Sequence, residues 1–130
     1  MSAPAAGGRE GTNEIEIRMG TGRKVLLVPG YANKIAITEE GIEHNRRESE
    51  RWHNADDARR QILCPVFWFS PDADILVMQR AVAIPENEFD SDRAYRLVED
   101  FYPGIDCEFK ASGWGVIDGR WVVVDYGNED

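Results

Sequence analysis

The stretch "GVIDGRWVVVDYGNED", residues 115–130, contains the clearest structural signal in the chain. Asp118-Gly119 is typical of a two-residue hairpin turn, because both residues accept the positive φ angles of a type I′ turn. The apolar runs "WGVI" and "WVVVDY" lie on either side of this turn and predict two paired strands. We therefore expect a terminal β-hairpin that places an ionisable residue, Asp125, directly after its apolar second strand.

Short apolar runs upstream of the hairpin predict an antiparallel sheet. "EIEIR" at 14–18, "VLLV" at 25–28 and "KIAIT" at 34–38 are separated by breaks that contain Gly or Pro, which predicts three short strands. "PVFWF" and "ILVM" are joined by "SPDAD", whose Ser, Pro and Asp residues favour a turn, so residues 66–78 are expected to form another hairpin. These segments together predict a sheet of five strands.

Two largely polar segments predict helices. Residues 39–54 follow Thr38, a suitable N-cap, and are expected to form an exposed helix that ends at Asn54, with a further helical turn at 55–61. Ser91 is expected to cap a shorter helix before Pro103-Gly104. Its apolar residues recur at helical spacing: Ala94, Leu97, Val98 and Phe101. The pattern indicates an α+β fold, with a mainly antiparallel five-stranded sheet and one main helix, then a short helix and the terminal β-hairpin.

Composition limits the class of protein. A chain of 130 residues suits one domain, and 42% hydrophobic residues suffice for a core. The formal net charge of −9 argues against a nucleic-acid partner, because binding to phosphates needs clustered Lys and Arg. No apolar run approaches the roughly 20 residues of a membrane span and no signal-peptide pattern is present, so we expect a cytoplasmic protein with no membrane partner. Residues 1–12 are small and Gly-rich, which predicts a disordered leader.

The cysteines and histidines predict neither a disulfide framework nor a zinc site. Cys64 and Cys107 are one pair in a chain of this size, so both are expected to be reduced and buried. His44 and His53 lie nine residues apart with no cysteine close to them in sequence, which disfavours zinc.

The order of polar groups along this framework resembles that of the protein kinase-like fold. A Gly20-Thr21-Gly22 turn comes first, a strand with Lys34 and a helix with Glu48 follow, and Asp125-Tyr126-Gly127 comes after the hairpin. The segment "GIEHNRRESERWH", residues 41–53, is similar to a helix of small kinase-like and phosphotransferase-like proteins of phages and archaea, in which Asn-Arg-x-Glu precedes an aromatic residue.

The resemblance extends over about residues 14–127. It implies a single minimal kinase-like domain at 13–130, with an N-lobe-like part at 13–78, a hinge-like part at 79–81 and a reduced C-lobe at 82–130. It also implies that the chain stops after its Asp-Phe-Gly-like segment, without the helical lobe that holds a protein substrate in kinases.

In the N-lobe-like part, the resemblance implies a site for ATP. Gly20 and Gly22 would let the backbone approach phosphates, and Lys34 would hold the α and β phosphates. Glu48 would pair with Lys34, and Glu50 is the poorer choice. A plain hairpin turn and a set of solvated surface glutamates are the structural alternatives to these two assignments.

The resemblance also places a hinge at Gln79-Arg80-Ala81, after Met78, which would lie behind the adenine site. Kinase hinges bind adenine through backbone groups, so the side chains carry little information. Gln79 and Ala81 are the cofactor-binding positions that the likeness implies.

In the reduced C-lobe, Glu108 falls at the position of the catalytic aspartate of kinases and Lys110 at the lysine two residues later. Asp125 falls at the metal-binding aspartate. Gly113 stands where kinases have an asparagine and offers no side chain, so one Mg²⁺ at most is implied, on Asp125. Asp106 is the alternative to Glu108, but only with a shift that loses the Lys110 match.

Three functions are consistent with these features. The first is a minimal kinase-like domain that binds ATP and Mg²⁺ with weak or no phosphotransfer. The second is a non-catalytic protein-interaction module on the same fold, which acts through a surface that involves some of the aromatic residues Trp52, Trp68, Trp114 and Trp121. The third is an acidic inhibitor or nucleic-acid mimic, which the net charge suggests and the arginines of the acidic helix disfavour.

Overall fold

The computed structural model describes residues 14–128, so the leader predicted at 1–12 lies outside the described part of the chain. Five short strands form the first layer: β1 (Glu16–Met19), β2 (Arg23–Val28), β3 (Tyr31–Ala36), β4 (Val66–Phe69) and β5 (Ile75–Gln79). They lie in the order β1-β2-β3-β5-β4, and every neighbouring pair is antiparallel. The predicted five-stranded antiparallel sheet is confirmed.

Side chains alternate between the two faces of this sheet, as the pleat of a strand requires. In β2, Arg23 and Leu27 are buried, and in β3 Ala32 and Lys34 are buried. Tyr31, on the opposite face of β3, is exposed. Arg23 and Lys34 are therefore buried cations, and both point to the side of the sheet on which the main helix lies.

The main helix, α1 (Glu39–Asn54), begins and ends as the sequence predicts. Thr38 is its N-cap, and the Thr38 hydroxyl accepts a hydrogen bond from the Gly41 N–H. The prediction of an exposed helix is incomplete, because one face of α1 is buried. The residues on that face are small or polar. Its buried residues are Gly41, Asn45, Glu48 and Ser49.

The second half of the chain adds α2 (Asp57–Arg60), β6 (Val82–Ala83), α3 (Ser91–Phe101), β7 (Trp114–Ile117) and β8 (Arg120–Val123). The predicted terminal hairpin is confirmed: Asp118 and Gly119 have φ angles of 51° and 79°, as a type I′ turn needs. β6 pairs with β7, so the hairpin is part of a three-stranded sheet that the sequence did not predict.

The predicted cap of α3 is wrong by one residue. Asp90, and not Ser91, is the N-cap, since its carboxylate accepts from the N–H groups of Asp92 and Arg93. The apolar face of α3 is as predicted, with Ala94 and Val98 buried.

The two sheets share one core. Backbone hydrogen bonds join the segment before β4 to β8: the Val123 N–H donates to the Ile62 oxygen at 2.7 Å, and the Cys64 N–H donates to the Val123 oxygen at 2.9 Å. Cys64 is buried as predicted, whereas Cys107 is only partly buried, and both are free thiols. Within residues 14–128, no helix combines the length and apolar character needed to cross a bilayer.

Candidate functional site

A cavity of about 610 Å³ is lined by residues of both sheets. Its size lies within the range of small-molecule sites. Much of its wall is apolar and comes from β2, β3, β5, the segment at β6 and the terminal hairpin region; this part includes Val25, Leu27, Ala32, Met78, Ile84 and Val124. We refer to this cavity as the cleft.

The charge of the cleft differs in sign from the charge of the chain. Its lining contains five cationic residues, Arg18, Arg23, Lys34, Arg80 and Lys110, and three acidic ones, Glu16, Glu86 and Asp125. The whole sequence has 15 Lys and Arg against 24 Asp and Glu. A cleft that concentrates positive charge in an acidic protein favours an anionic ligand.

Glu48 is the centre of the charged end of the cleft. Its side chain is completely buried, and Oε1 accepts from Arg23 Nη1 at 2.8 Å and Lys34 Nζ at 3.0 Å. Oε2 accepts from the backbone N–H groups of Tyr126 at 2.9 Å and Gly127 at 3.2 Å. A carboxylate with this many donors can stay ionised without contact with water.

The environment of Glu48 lowers its pKa. Burial alone favours the protonated acid, but the charges of Lys34 and Arg23 and the hydrogen bond from Arg23 outweigh it. Glu48 is therefore an anion at neutral pH, and it fixes the two cations beside it.

The structure brings Lys34 and Glu48 together, as the kinase resemblance implies. Lys34 lies on β3 and is itself buried, and its ammonium group also donates to the Val124 oxygen, just before Asp125. Glu50, the alternative partner, is exposed. Lys34 is also one of the residues that line the cleft.

Asp125 lies at the same end of the cleft and is partly exposed. Its Oδ1 atom is 2.8 Å from His44 Nε2 and 3.2 Å from Arg23 Nη2. Burial raises the pKa of Asp125, but the His44 hydrogen bond and the charges of Lys34 and Arg23 outweigh it, so the pKa lies well below the ordinary value.

The segment Asp125-Tyr126-Gly127 is held against α1 along its whole length. Besides the Glu48 contacts, Arg51 Nη1 donates to the Tyr126 oxygen at 2.6 Å, and Arg47 Nε donates to the Gly127 oxygen at 2.7 Å. The Tyr126 ring is fully buried, and its hydroxyl donates to the Cys64 oxygen at 2.7 Å.

Gly127 is required by this close approach. A Cβ at Gly127 would lie 2.3 Å from His44 Cδ2 and 2.6 Å from Glu48 Cγ, which no other residue could adopt without a shift. The Asp-Tyr-Gly pattern therefore has a steric as well as an electrostatic basis.

The glycines of the predicted phosphate turn lie elsewhere. Gly20 and Gly22 are absent from the described cleft lining, and a Cβ at Gly22 would be 3.0 Å from Thr38 Oγ1 and 3.2 Å from the Gly41 nitrogen. Close packing against the start of α1 is thus one physical reason for Gly22. A role in binding phosphates stays a prediction.

Two of the remaining predicted positions line the cleft. Gln79 and Ala81 are part of its wall, as expected for hinge residues. The Gln79 N–H donates to the Pro65 oxygen at 3.0 Å, and the Gln79 oxygen accepts from the Cys64 thiol. Adenine binding at this segment stays a prediction.

Glu108 and Lys110, the predicted catalytic pair, form an exposed ion pair of which only one member lines the cleft. Lys110 lines the described cleft and Glu108 does not. Both side chains are 58% exposed and lie 3.4 Å apart as an ion pair. Gly113 is buried in a 3-10 turn, and its oxygen accepts from the Val124 N–H at 2.9 Å.

Arg23, His44 and Asn45 are site residues that the sequence analysis missed. Asn45 Oδ1 accepts from Arg23 Nη1 at 2.9 Å, and its amide nitrogen donates to the Lys34 and Ala73 oxygens. The signal for them was helical spacing, because residues 41, 44, 45 and 48 share one face of α1. Arg23 and Val25 are two residues apart on β2, so their side chains lie on the same face of the sheet.

His44, Glu48 and Asp125 bring one potential ligand atom each to within 4.8 Å of one another. The donor chemistry does not fit a resident divalent ion. Both oxygens of Glu48 already accept from two cations and two backbone amides, and Oδ1 of Asp125 lies beside Arg23 and His44. Mg²⁺ needs oxygen ligands in near-octahedral geometry, and these three side chains offer it few oxygen atoms that are not already hydrogen-bonded.

Comparison of the chain with family models, with curated proteins and with solved structures finds no match.

Proposed function

We propose that the chain is a reduced protein kinase-like domain that binds a nucleotide in the cleft and transfers phosphate weakly or not at all. One observation carries the proposal: the buried Lys34–Glu48 ion pair lies beside a cleft whose lining combines cationic residues with a large apolar part. A ligand with a flat apolar base and an anionic tail complements both parts.

The position of Asp125 supports the same proposal. Asp125 lines the cleft at the end where Lys34 and Arg23 lie, although these residues come from the terminal segment and from two separate strands. A lysine oriented by a buried glutamate and followed by an aspartate is the arrangement that the kinase resemblance implies for phosphate binding.

Weak or absent phosphate transfer is expected from the positions of the predicted catalytic residues, Glu108 and Lys110. Glu108 is an exposed carboxylate paired with Lys110 and lies outside the described cleft lining. A general base must lie within hydrogen-bond reach of the group it deprotonates. Gly113 offers no side chain at the position where kinases hold a second metal.

Ligand-dependent stabilisation tests the proposal. Addition of ATP or ADP at 100 times its Kd should stabilise the wild type by about 2.7 kcal/mol, measured as a rise in Tm. Lys34→Met should abolish this rise relative to its own ligand-free Tm, whereas the control Lys24→Met should keep it, because residue 24 lies on the opposite face of β2. If millimolar nucleotide leaves the wild-type Tm unchanged, or if Lys34→Met responds fully, the proposal fails.

A second candidate function, protein interaction, is favoured by the edge strand β1. Of the four tryptophans named above, Trp114 and Trp121 are buried and Trp68 is exposed. The large apolar residues with the highest exposure in residues 14–128, however, lie on and beside β1: Ile15, Ile17 and Met19, which are 70%, 62% and 66% exposed. An apolar edge strand with one unpaired side is a template for strand pairing.

The charges of β1 make a second copy of this chain its best partner. In an antiparallel pair centred on Ile17, Glu16 of each copy lies opposite Arg18 of the other, and Ile15 lies opposite Met19. This second candidate is therefore self-association through β1. Ile17→Lys would place two like charges at the centre of the pair.

Molar mass in solution tests this second function. Wild type and the control Tyr31→Lys, which changes an exposed residue of an interior strand, should sediment as dimers, and Ile17→Lys should sediment as a monomer. A monomeric wild type at high micromolar concentration, or a dimeric Ile17→Lys, removes this candidate.

A further inference from the structure

Arg23 is a cation that lies between the carboxylates of Glu48 and Asp125. Its guanidinium is nearly buried and reaches three acceptors: Glu48 Oε1 at 2.8 Å, Asn45 Oδ1 at 2.9 Å and Asp125 Oδ1 at 3.2 Å. Arg23 thus links the carboxylate of α1 to the carboxylate of the terminal segment. Because the Asn45 amide also donates to the Lys34 and Ala73 oxygens, Arg23 is anchored in one orientation.

The charges at this end of the cleft balance without an added ion. Arg23 and Lys34 carry two positive charges, and Glu48 and Asp125 carry two negative ones. His44, whose Nε2 atom lies 2.8 Å from Asp125 Oδ1, adds no negative charge that an ion would have to balance. A divalent ion among these groups would leave an excess of two positive charges in a partly buried site and would lie next to the guanidinium. Uncompensated buried charge is strongly unfavourable.

Both carboxylate oxygens of Glu48 and Oδ1 of Asp125 are also engaged by donors. Glu48 Oε1 accepts from Arg23 and Lys34, and Oε2 accepts from the backbone of the terminal segment. Every buried side-chain nitrogen and oxygen in residues 14–128 has a hydrogen-bond partner. No buried polar side chain in this part of the chain therefore needs a metal ion as a partner.

We infer that Arg23 takes the place of a divalent metal at Asp125, so that the cleft binds a phosphate-bearing ligand without a metal ion. The ligand in this inference rests on the proposed function, whereas the Arg23–Asp125 assignment does not. The binding of phosphates would then rely on the excess of cationic over acidic residues in the cleft lining, which includes Arg23 and Lys34.

Titration with Mn²⁺, followed by electron paramagnetic resonance of the free ion, tests the assignment without any nucleotide. Wild type and Asp125→Asn should show the same weak binding. Arg23→Gln should gain a Mn²⁺ site at least about tenfold tighter, which the double change Arg23→Gln/Asp125→Asn removes. Arg18→Gln is the matched control, because it removes the same charge from the cleft lining without a contact to Asp125.

Asp125-dependent Mn²⁺ binding by the wild type would overturn the inference, as would a folded Arg23→Gln variant without the gain. If Arg23→Gln does not fold, the comparison of wild type with Asp125→Asn still decides.

A thermal shift with ATP then tests the consequence. The rise in Tm should be at least as large in EDTA as in Mg²⁺, because Mg²⁺ neutralises the phosphates that Arg23 and Lys34 recognise. A rise that needs Mg²⁺ overturns the inference. No rise in either buffer removes the proposed function, and the Mn²⁺ titration alone then decides on Arg23.

Discussion

The two longer helices pack on the protein in opposite ways. α3 buries Ala94 and Val98, so its contact is an ordinary apolar one. α1 buries Gly41, Asn45, Glu48 and Ser49, none of which is a large apolar residue. The apolar contact stabilises without much demand on geometry, whereas the polar contact is favourable only while every partner is in place. The polar contact of α1 coincides with the candidate site, because Arg23 and Lys34 both bind Glu48 of α1 and line the cleft.

Removal of Glu48 should have the largest effect. Glu48→Ala leaves Arg23 and Lys34 without their buried counter-charge, so the free energy of unfolding should fall by about 3 to 5 kcal/mol in urea titrations. Val98→Ala, on the apolar helix, should cost about 2 kcal/mol. The control Glu50→Ala, on the exposed face of α1, should change it by less than about 0.5 kcal/mol. An equal loss for Glu48→Ala and Glu50→Ala would show that the polar contact is not special.

Acid should weaken the polar contact in particular. The pKa values of Glu48 and Asp125 are lowered in the folded protein from ordinary values of 4.5 and 3.8. Unfolding therefore takes up protons as the pH falls below these values, and the stability present at neutral pH is lost towards lower pH. The free energy of unfolding, measured between pH 7 and pH 3, should fall less steeply in Asp125→Asn than in wild type. Identical slopes would mean that Asp125 does not contribute.

Gly127→Ala should disturb the same contact by steric means. The new methyl group would meet His44 and Glu48 at well under 3 Å. Overpacking of this kind costs about 1 to 3 kcal/mol, and Tm should fall accordingly. Gly113→Ala is the control, because its Cβ would lie at an ordinary 3.4 Å from the Glu108 oxygen. Equal Tm values for the two variants would argue that the terminal segment is not held tightly to α1.

Tyr126→Phe should give the smallest of these effects. It removes one buried hydrogen bond, from the hydroxyl to the Cys64 oxygen, and keeps the ring. A loss of about 1 kcal/mol in the free energy of unfolding is expected, against no loss for the exposed Tyr95→Phe. A neutral Tyr126→Phe would mean that the ring alone anchors the segment.

Local signals in the sequence account for most of the fold. The Asp118-Gly119 turn, the alternation in the strands and Thr38 before α1 depend on neighbouring residues, and the structure confirms them. β6 was missed because a two-residue strand has too little periodicity to detect. Asp90 was missed because Asp and Ser cap helices about equally well and stand side by side.

The residues of the candidate site are harder to predict from local signals in the sequence. Lys34, Glu48 and Asp125 were selected through a resemblance, and the structure brings the three to one end of the cleft. Arg23 was not selected, since its contact with Asp125 joins residues 102 positions apart. Glu108 was selected on spacing, but the lining of the described cleft does not include it.

By itself, the sequence determined the α+β class, the strands, the main helix and the terminal hairpin, because each depends on backbone propensity and short-range periodicity. Only the tertiary structure decided which charges meet. Coulombic and hydrogen-bonding energies depend on distances between residues far apart in the chain, and burial strengthens them. The aspartate that follows the terminal hairpin therefore has one of its partners, Arg23, on a strand near the other end of the described chain.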